Sequence, residues 1–230
     1  MESVVLYDFD WELDTAALAR AMHLRDEARH MQELQRLAEA AKAVGRPKAM
    51  YRQVFIEEKG EDYVICDGVR FTSRVLRVNL EVAHRAFVYC VTCGAELVRW
   101  TSSVDDMLQH YWAEAIQQAS LRVAIQALND HLAREYHLLQ AASQAPGSLP
   151  SWPIDEQRPL FQLLGDTEEA IGVRLTSHLM MNPAKSVSGI RFPTETSFES
   201  CQLCARESCP GRRVPYDAGL YERRYRPPSS

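Results

Sequence analysis

Apolar residues recur at helical spacing over residues 11–44. Leu13, Leu18, Leu24, Met31, Leu34, Leu37, Ala38 and Ala41 share roughly one face, and charged residues fill the other. Asp14 is placed to cap this stretch, and Gly45 with Pro47 to stop it. His23-Leu-Arg-Asp26 offers a break into two helices, with Asp26 recapping the second. The period then shortens. Tyr51, Val54, Phe55 and Ile56, followed by Tyr63, Val64 and Ile65, predict two strands joined by a turn at Glu58-Lys-Gly60-Glu. A short helix capped by Thr72 or Ser73 is expected between Phe71 and Val82. Ala86–Thr92 reads as a buried strand that ends before Gly94.

Residues 104–139 carry the strongest helical pattern, opened by the capping-box-like Ser103-Val-Asp-Asp106. Leu108, Tyr111, Ala115, Ala119 and Val123 make one stripe, and Leu121, Ile125, Leu128 and Leu132 a second. Two stripes predict burial on more than one side. Three prolines and a glycine in residues 141–153 exclude a helix or a central strand there. Glu156–Leu164 reads as a short helix. Leu175–Met181 and Ser186–Phe192 read as strands joined by Asn182-Pro183. Beyond Pro193 the chain is cysteine-rich and then arginine-rich, without periodicity, and no internal repeat is visible. This change of character suggests one unit over 1–195 and an irregular tail over 196–230.

Composition changes this picture little. At 230 residues, 46% apolar and 25% charged, the chain has the profile of a globular protein. A net charge of −5 gives no general attraction to nucleic acid or an anionic membrane. No apolar run approaches the ~20 residues of a membrane helix, and the first ten residues lack the basic start of a signal peptide. A cytoplasmic protein is expected. In a reducing compartment, clustered cysteines more often bind metal or do redox work than form disulfides.

Three of the six cysteines cluster in Cys201-Gln-Leu-Cys204-Ala-Arg-Glu-Ser-Cys209-Pro. A C-x₂-C turn can wrap two thiolates around one metal, and a third nearby closes a three-ligand pocket suited to iron–sulfur iron or zinc. Arg206, Arg212 and Arg213 stand by to offset thiolate charge. The plain alternative is three unrelated free thiols. Cys90 and Cys93 form another C-x₂-C pair, but on a strand they face opposite sides. Cys93, at the strand end, is the candidate fourth ligand, while Cys90 and Cys66 read as core. No histidine pair stands at catalytic spacing, and no nucleophile elbow, P-loop or dinucleotide fingerprint is present.

Two further segments are unusual for a pure core. Ala145-Pro-Gly-Ser-Leu-Pro-Ser-Trp-Pro153 is a rigid loop with backbone amides to offer. Ser186-Val-Ser-Gly189 puts Ser186 and Ser188 on one strand face, with Gly189 permitting close approach. Together they can cradle a polar ligand, or be an ordinary loop and half-exposed strand.

The order and spacing of Pro146-Gly-Ser148, Trp152-Pro-Ile-Asp-Glu-Gln157, Leu160–Leu164, Ile171-Gly-Val-Arg-Leu-Thr176, Met180-Met-Asn-Pro183 and Lys185-Ser-Val-Ser-Gly189 resembles the activation domain of cobalamin-dependent methionine synthase, over about residues 143–192. Stand-alone versions of that domain exist. The resemblance implies an α+β fold, with a twisted antiparallel sheet and flanking helices. It implies S-adenosylmethionine bound beside a cobalamin carried by another module, and reactivation of the Co(II) state by an electron plus the sulfonium methyl. The residues it points to for S-adenosylmethionine are Ala145, Pro146, Gly147, Ser148, Ser186, Ser188 and Gly189. Ser143 or Gln144 stands where the family usually has an arginine, and Ser148 where it usually has a tyrosine.

The resulting expectation is an accessory protein of methionine biosynthesis that reactivates a cobalamin-dependent methyltransferase in trans. Cys201, Cys204 and Cys209, with Cys93 as a fourth ligand, would carry an iron–sulfur electron relay, fed by a separate electron donor. The alternative is a non-enzymatic docking module for a corrinoid protein, its tail stapled by zinc.

Overall fold

The computed structural model describes residues 2–9, 11–24, 28–195, 197–209 and 211–227. Its centre is an antiparallel sheet. The long strand β2 (Lys48–Lys59) pairs with β1 (Val4–Leu6), with β3 (Tyr63–Cys66) and along eight residues with β5 (Arg85–Thr92). β3 pairs outward with β4 (Val69–Thr72). On the other side β5 pairs with β9 (Ser186–Pro193), and β9 with the edge strand β6 (Ala141–Gln144). A separate two-stranded ribbon joins β7 (Arg174–Leu175) to β8 (Met181–Asn182).

Alternation along the strands sends side chains to two faces. Met50 and Val54 of β2, Ala86, Val88 and Cys90 of β5, and Ile190 and Phe192 of β9 enter one core. They pack there with α3 (Arg74–Asn79), α6 (Gln157–Leu164) and α7 (Thr167–Ile171). Tyr51, Phe87 and Val91 enter the other core, under α1 (Thr15–Ala21), α2 (Ala28–Val44), α4 (Ala95–Ser102) and α5 (Met107–Tyr136). This is the α+β fold that the resemblance implies, including the long helix.

Local chemistry explains most boundaries. Asp14 caps α1 by accepting from the Ala17 amide at 2.8 Å. The first helical stretch divides as its sequence suggests, although Asp26 lies outside the described residues. Ser73, not Thr72, caps α3 through the Leu76 amide. Asp106 caps α5 through Gln109, while Ser103 ends the preceding α4, a helix the apolar pattern did not announce. Of the two stripes expected on α5, Leu108 and Tyr111 of the first are exposed. The buried ridge runs every fourth residue through Trp112, Ile116, Ser120, Ala124, Leu128 and Leu132. At ~1.5 Å per residue the 30-residue helix is about 45 Å long.

Two expectations are corrected, and a third is filled in. Phe71 lies in β4, because Asp67 and Gly68, both at positive φ (45° and 76°), turn β3 back into a hairpin. Residues 141–144, where a helix and a central strand were excluded, form a strand at the sheet edge, with the prolines beginning only after the last paired residue. The strand expected over 175–181 shrinks to the two short pieces of the β7–β8 ribbon. No helix among the described residues is long and apolar enough to cross a membrane.

Candidate functional site

A cleft of about 290 Å³ opens where β5, β9 and β6 meet α5. Ile125, Leu128 and Asn129 of α5 form one wall. Tyr89, Val187, Ser188 and Arg191 form the floor. Ser143, Gln144, Ala145 and Ser148 form the opposite wall, and Ser200 and Arg213 reach over from the C-terminal segment. The floor is tight by construction. A Cβ on Gly189 would stand 2.6 Å from the Gln144 carbonyl oxygen and 2.9 Å from the Tyr89 hydroxyl, so only glycine fits.

The loop after β6 is pinned rather than open. The Gly147 amide donates to the Trp152 carbonyl at 2.7 Å, and the Trp152 amide to the Leu149 carbonyl at 3.0 Å. The Trp152 ring is fully buried against Phe71, and Ser148 donates to the Ala145 carbonyl at 2.5 Å. Of the expected ligand residues, Ala145, Ser148 and Ser188 line the cleft, and Gly189 shapes its floor. Pro146 and Gly147 form the turn behind the wall. Ser186 and Ser188 share one strand face, as read from the sequence. Their hydroxyls are already committed, to Thr92 Oγ1 at 2.9 Å and to Gln157 Oε1 at 2.8 Å. Tyr89, Arg191 and Arg213 were not signalled by any motif. Their convergence depends on strand register and on the path of the tail.

The cysteine loop borders this cleft. Cys201 and Cys204 sit in one 3₁₀ turn, the Cys204 amide donating to the Cys201 carbonyl at 3.3 Å. The Arg212 guanidinium fills the loop's interior. It donates to the carbonyls of Cys201 (3.1 Å), Cys204 (3.2 Å) and Arg206. A cation thus satisfies the carbonyls that the loop turns inward. Cys201, Cys204 and Cys209 are unpaired and half-buried. Among the described residues, no three His, Cys, Asp or Glu side chains are placed to hold a metal ion. Cys93 does not join them. It is fully buried in the core under α4 and α5, while Cys204 packs against the core on the opposite face of the sheet. Pro210 lies outside the described residues.

The thiols differ chemically. The Arg213 backbone amide, its guanidinium and the Val214 amide donate to Cys201 and hold its thiol below the ordinary cysteine value. Burial pushes Cys66, Cys90 and Cys93 up to about 12. A depressed pKa means that thiolate is present at lower pH. In the native protein at pH 7, Cys201 is therefore expected to be alkylated by iodoacetamide well before Cys66, Cys90 and Cys93, which react only after unfolding. Peptide mass mapping of a time course checks this, and Arg213→Ala is expected to slow the Cys201 reaction.

The fold and cleft define an α+β protein with a polar cleft at one end of an antiparallel sheet. Residues 98–205 match the family model described as vitamin B12 dependent methionine synthase, activation domain. Among solved structures, the chain is similar to one titled "Crystal Structure of the MetH Reactivation Domain bound to AdoHcy". The TM-score is 0.55 at 15% identity, covering 86% of this chain and 81% of that one. No curated protein matches. In sequence pattern and in fold, this chain resembles the activation domain of cobalamin-dependent methionine synthase. The matched residues include the 143–148 wall and the β9 part of the floor, but not Tyr89 of β5, and end before Cys209.

Proposed function

We propose that this chain binds S-adenosylmethionine in the cleft between α5, β9 and the 143–148 wall, and takes part in reactivating a cobalamin-dependent methyltransferase. The observation that carries this reading is convergence. Two stretches separate in sequence, Ser143–Ser148 and Val187–Arg191, both within the family match, form a wall and the floor of one cleft. The corrinoid is presented by another module. The chain's own part is placement: apolar Ile125 and Leu128 and the close floor at Gly189 confine the ligand, so that its sulfonium methyl is held toward the cobalt. The S–CH₃ bond breaks with its electron pair left on sulfur, releasing a neutral thioether. The methyl and one electron from an external low-potential donor pass to the Co(II) centre.

The three tail thiols are the second part of the proposal, as an iron–sulfur site in preference to zinc. Support comes from the acidified Cys201 beside two cleft residues, Ser200 and Arg213. The loop as it stands is closed on Arg212 rather than on its sulfurs, so no step is assigned to a cluster.

The test uses the anaerobically purified full chain with a Co(II) corrinoid methyltransferase, S-adenosylmethionine and titanium(III) citrate. Loss of the Co(II) absorption and release of S-adenosylhomocysteine are expected only when the chain is present. The reading fails if methyl transfer is equally fast without it. Iron and sulfide analysis of the same preparation decides the tail. Bound iron lost in Cys201→Ala supports a cluster, stoichiometric zinc supports a staple, and full activity of a metal-free reduced chain removes both.

A further inference from the structure

Three large apolar side chains stand in solvent at the start of α5. Met107 is 86% exposed, Tyr111 54% and Leu108 45%. Single exposed apolar residues are ordinary, whereas a contiguous group marks an interaction surface. These residues head the stripe Leu108, Tyr111, Ala115, Ala119 and Val123, whose spacing of three and four keeps it on one side of the helix. The other sides of α5 are taken. Under α2, His30 meets the Trp112 ring edge-on at 5.7 Å, and Gln109 donates to Glu33 at 2.6 Å. Toward the sheet, Ile116 and Ala124 share a core with Tyr51 and Phe87. Along the stripe itself, Ala115, Ala119 and Val123 are only half-buried.

Size and charge both change along this stripe. Its N-terminal end is bulky at Leu108 and Tyr111, and its middle is small at Ala115 and Ala119. Glu114 lies beside Tyr111 on the next turn, and Arg122 lies one turn past Ala119. Both are exposed, and among the described residues neither is in an ion pair. A stripe with a bulky, acidic end and a small, basic end complements itself only when turned end for end. Two such helices crossing near Ala115 set Tyr111 of one on Ala119 of the other, large against small. Long helical side chains lean toward their own N-terminus. In an antiparallel pair this brings Arg122 of one copy and Glu114 of the other toward each other. A parallel pair would set Tyr111 on Tyr111 and like charge on like.

We infer that this side of α5 is the contact surface of a homodimer, in which two copies of the chain pair antiparallel through the first half of the helix. The contact is isologous, so each interaction occurs twice. The cleft residues Ile125, Leu128 and Asn129 follow the Val123 end of the stripe. The dimer therefore stands or falls independently of what the cleft binds.

Sedimentation equilibrium of the full chain, kept reduced so that no intermolecular disulfide forms, measures the association. A mass of twice the 26.2 kDa chain is expected, falling toward that of one chain on dilution. Leu108→Asp combined with Tyr111→Asp replaces two exposed residues and is expected to raise the dissociation constant roughly 100-fold or more. Thermal melts establish that this variant is folded. Glu114→Arg and Arg122→Glu, made singly, are each expected to raise the dissociation constant roughly 10-fold, because each replaces an attraction by a repulsion at two places. The two changes combined restore opposite charges across the contact, and are expected to return it to within about threefold of wild type. A single-chain mass at every concentration overturns the inference, including the case in which this face takes up a different protein. So does a dimer indifferent to Leu108→Asp with Tyr111→Asp. Failure of the charge exchange to recover association overturns the antiparallel pairing.

Discussion

Trp152→Ala is expected to lower the unfolding free energy by about 3–5 kcal/mol, the range for truncating a fully buried large aromatic. Trp152 is 0% exposed, meets Phe71 edge-to-face at 6.1 Å and shares a core with Leu160, Leu163 and Leu164 of α6. Its indole nitrogen lies 3.4 Å from Glu156 Oε2, a weak contact beside the area it buries. Packing therefore dominates, and Trp152→Phe is expected to recover most of the loss. Urea denaturation checks this through the midpoint at constant slope. A second effect accompanies the first. The Trp152 backbone brackets the turn that presents Ala145 and Ser148, so S-adenosylhomocysteine affinity is expected to fall even where the variant remains folded.

Tyr225→Ala is expected to cost a similar ~3–5 kcal/mol, although it lies in a segment without apolar periodicity, five residues before Ser230. Its ring is fully buried near Phe198, and its backbone carbonyl accepts from Arg74 Nε at 3.0 Å. Tyr225→Phe isolates the hydroxyl. It leaves Asn79 Oδ1, which accepts from that hydroxyl at 2.9 Å, buried with a lost donor, a cost of about 1–3 kcal/mol. Chemical denaturation of the two variants measures both effects. Unchanged stability in Tyr225→Ala would mean that the tail is not anchored as described.

The helices and the central strands were legible because their signals are local. Asp14 and Gly45 mark helix ends, and β-prone runs mark β2, β3 and β5. What escaped depends on partners far away in sequence. The β3–β4 hairpin was hidden because Asp67-Gly68 is flanked by short strands whose apolar residues also fit a helix start. Trp112 and Ile116 bury a ridge that the two-stripe pattern of α5 did not single out. At the cleft, the 143–148 loop and Gly189 were readable as motifs. Tyr89, Arg191 and Arg213 were not, since their meeting depends on the register of β5 against β9 and on the path of the C-terminal segment. The cysteine spacing spoke for ligands. It gave no hint that Arg212 would occupy the interior of the loop, or that the sheet would separate Cys93 from Cys204.

The strand order bears on how the cleft comes into being. Tyr89 pairs with Gly189, and Tyr225 reaches back to Asn79, contacts that close about 100 and about 146 residues of chain. The α2 and α5 helices satisfy their own backbones and can form early. The cleft cannot, because its floor exists only after β9 has entered between β5 and β6. Closing such long loops is entropically slow, so the topology places the cleft among the last parts of the molecule to assemble. A nascent chain halted after α5 would have its long helix and five of the seven strands of its sheet, but neither the β9 floor nor the 143–148 wall of the cleft.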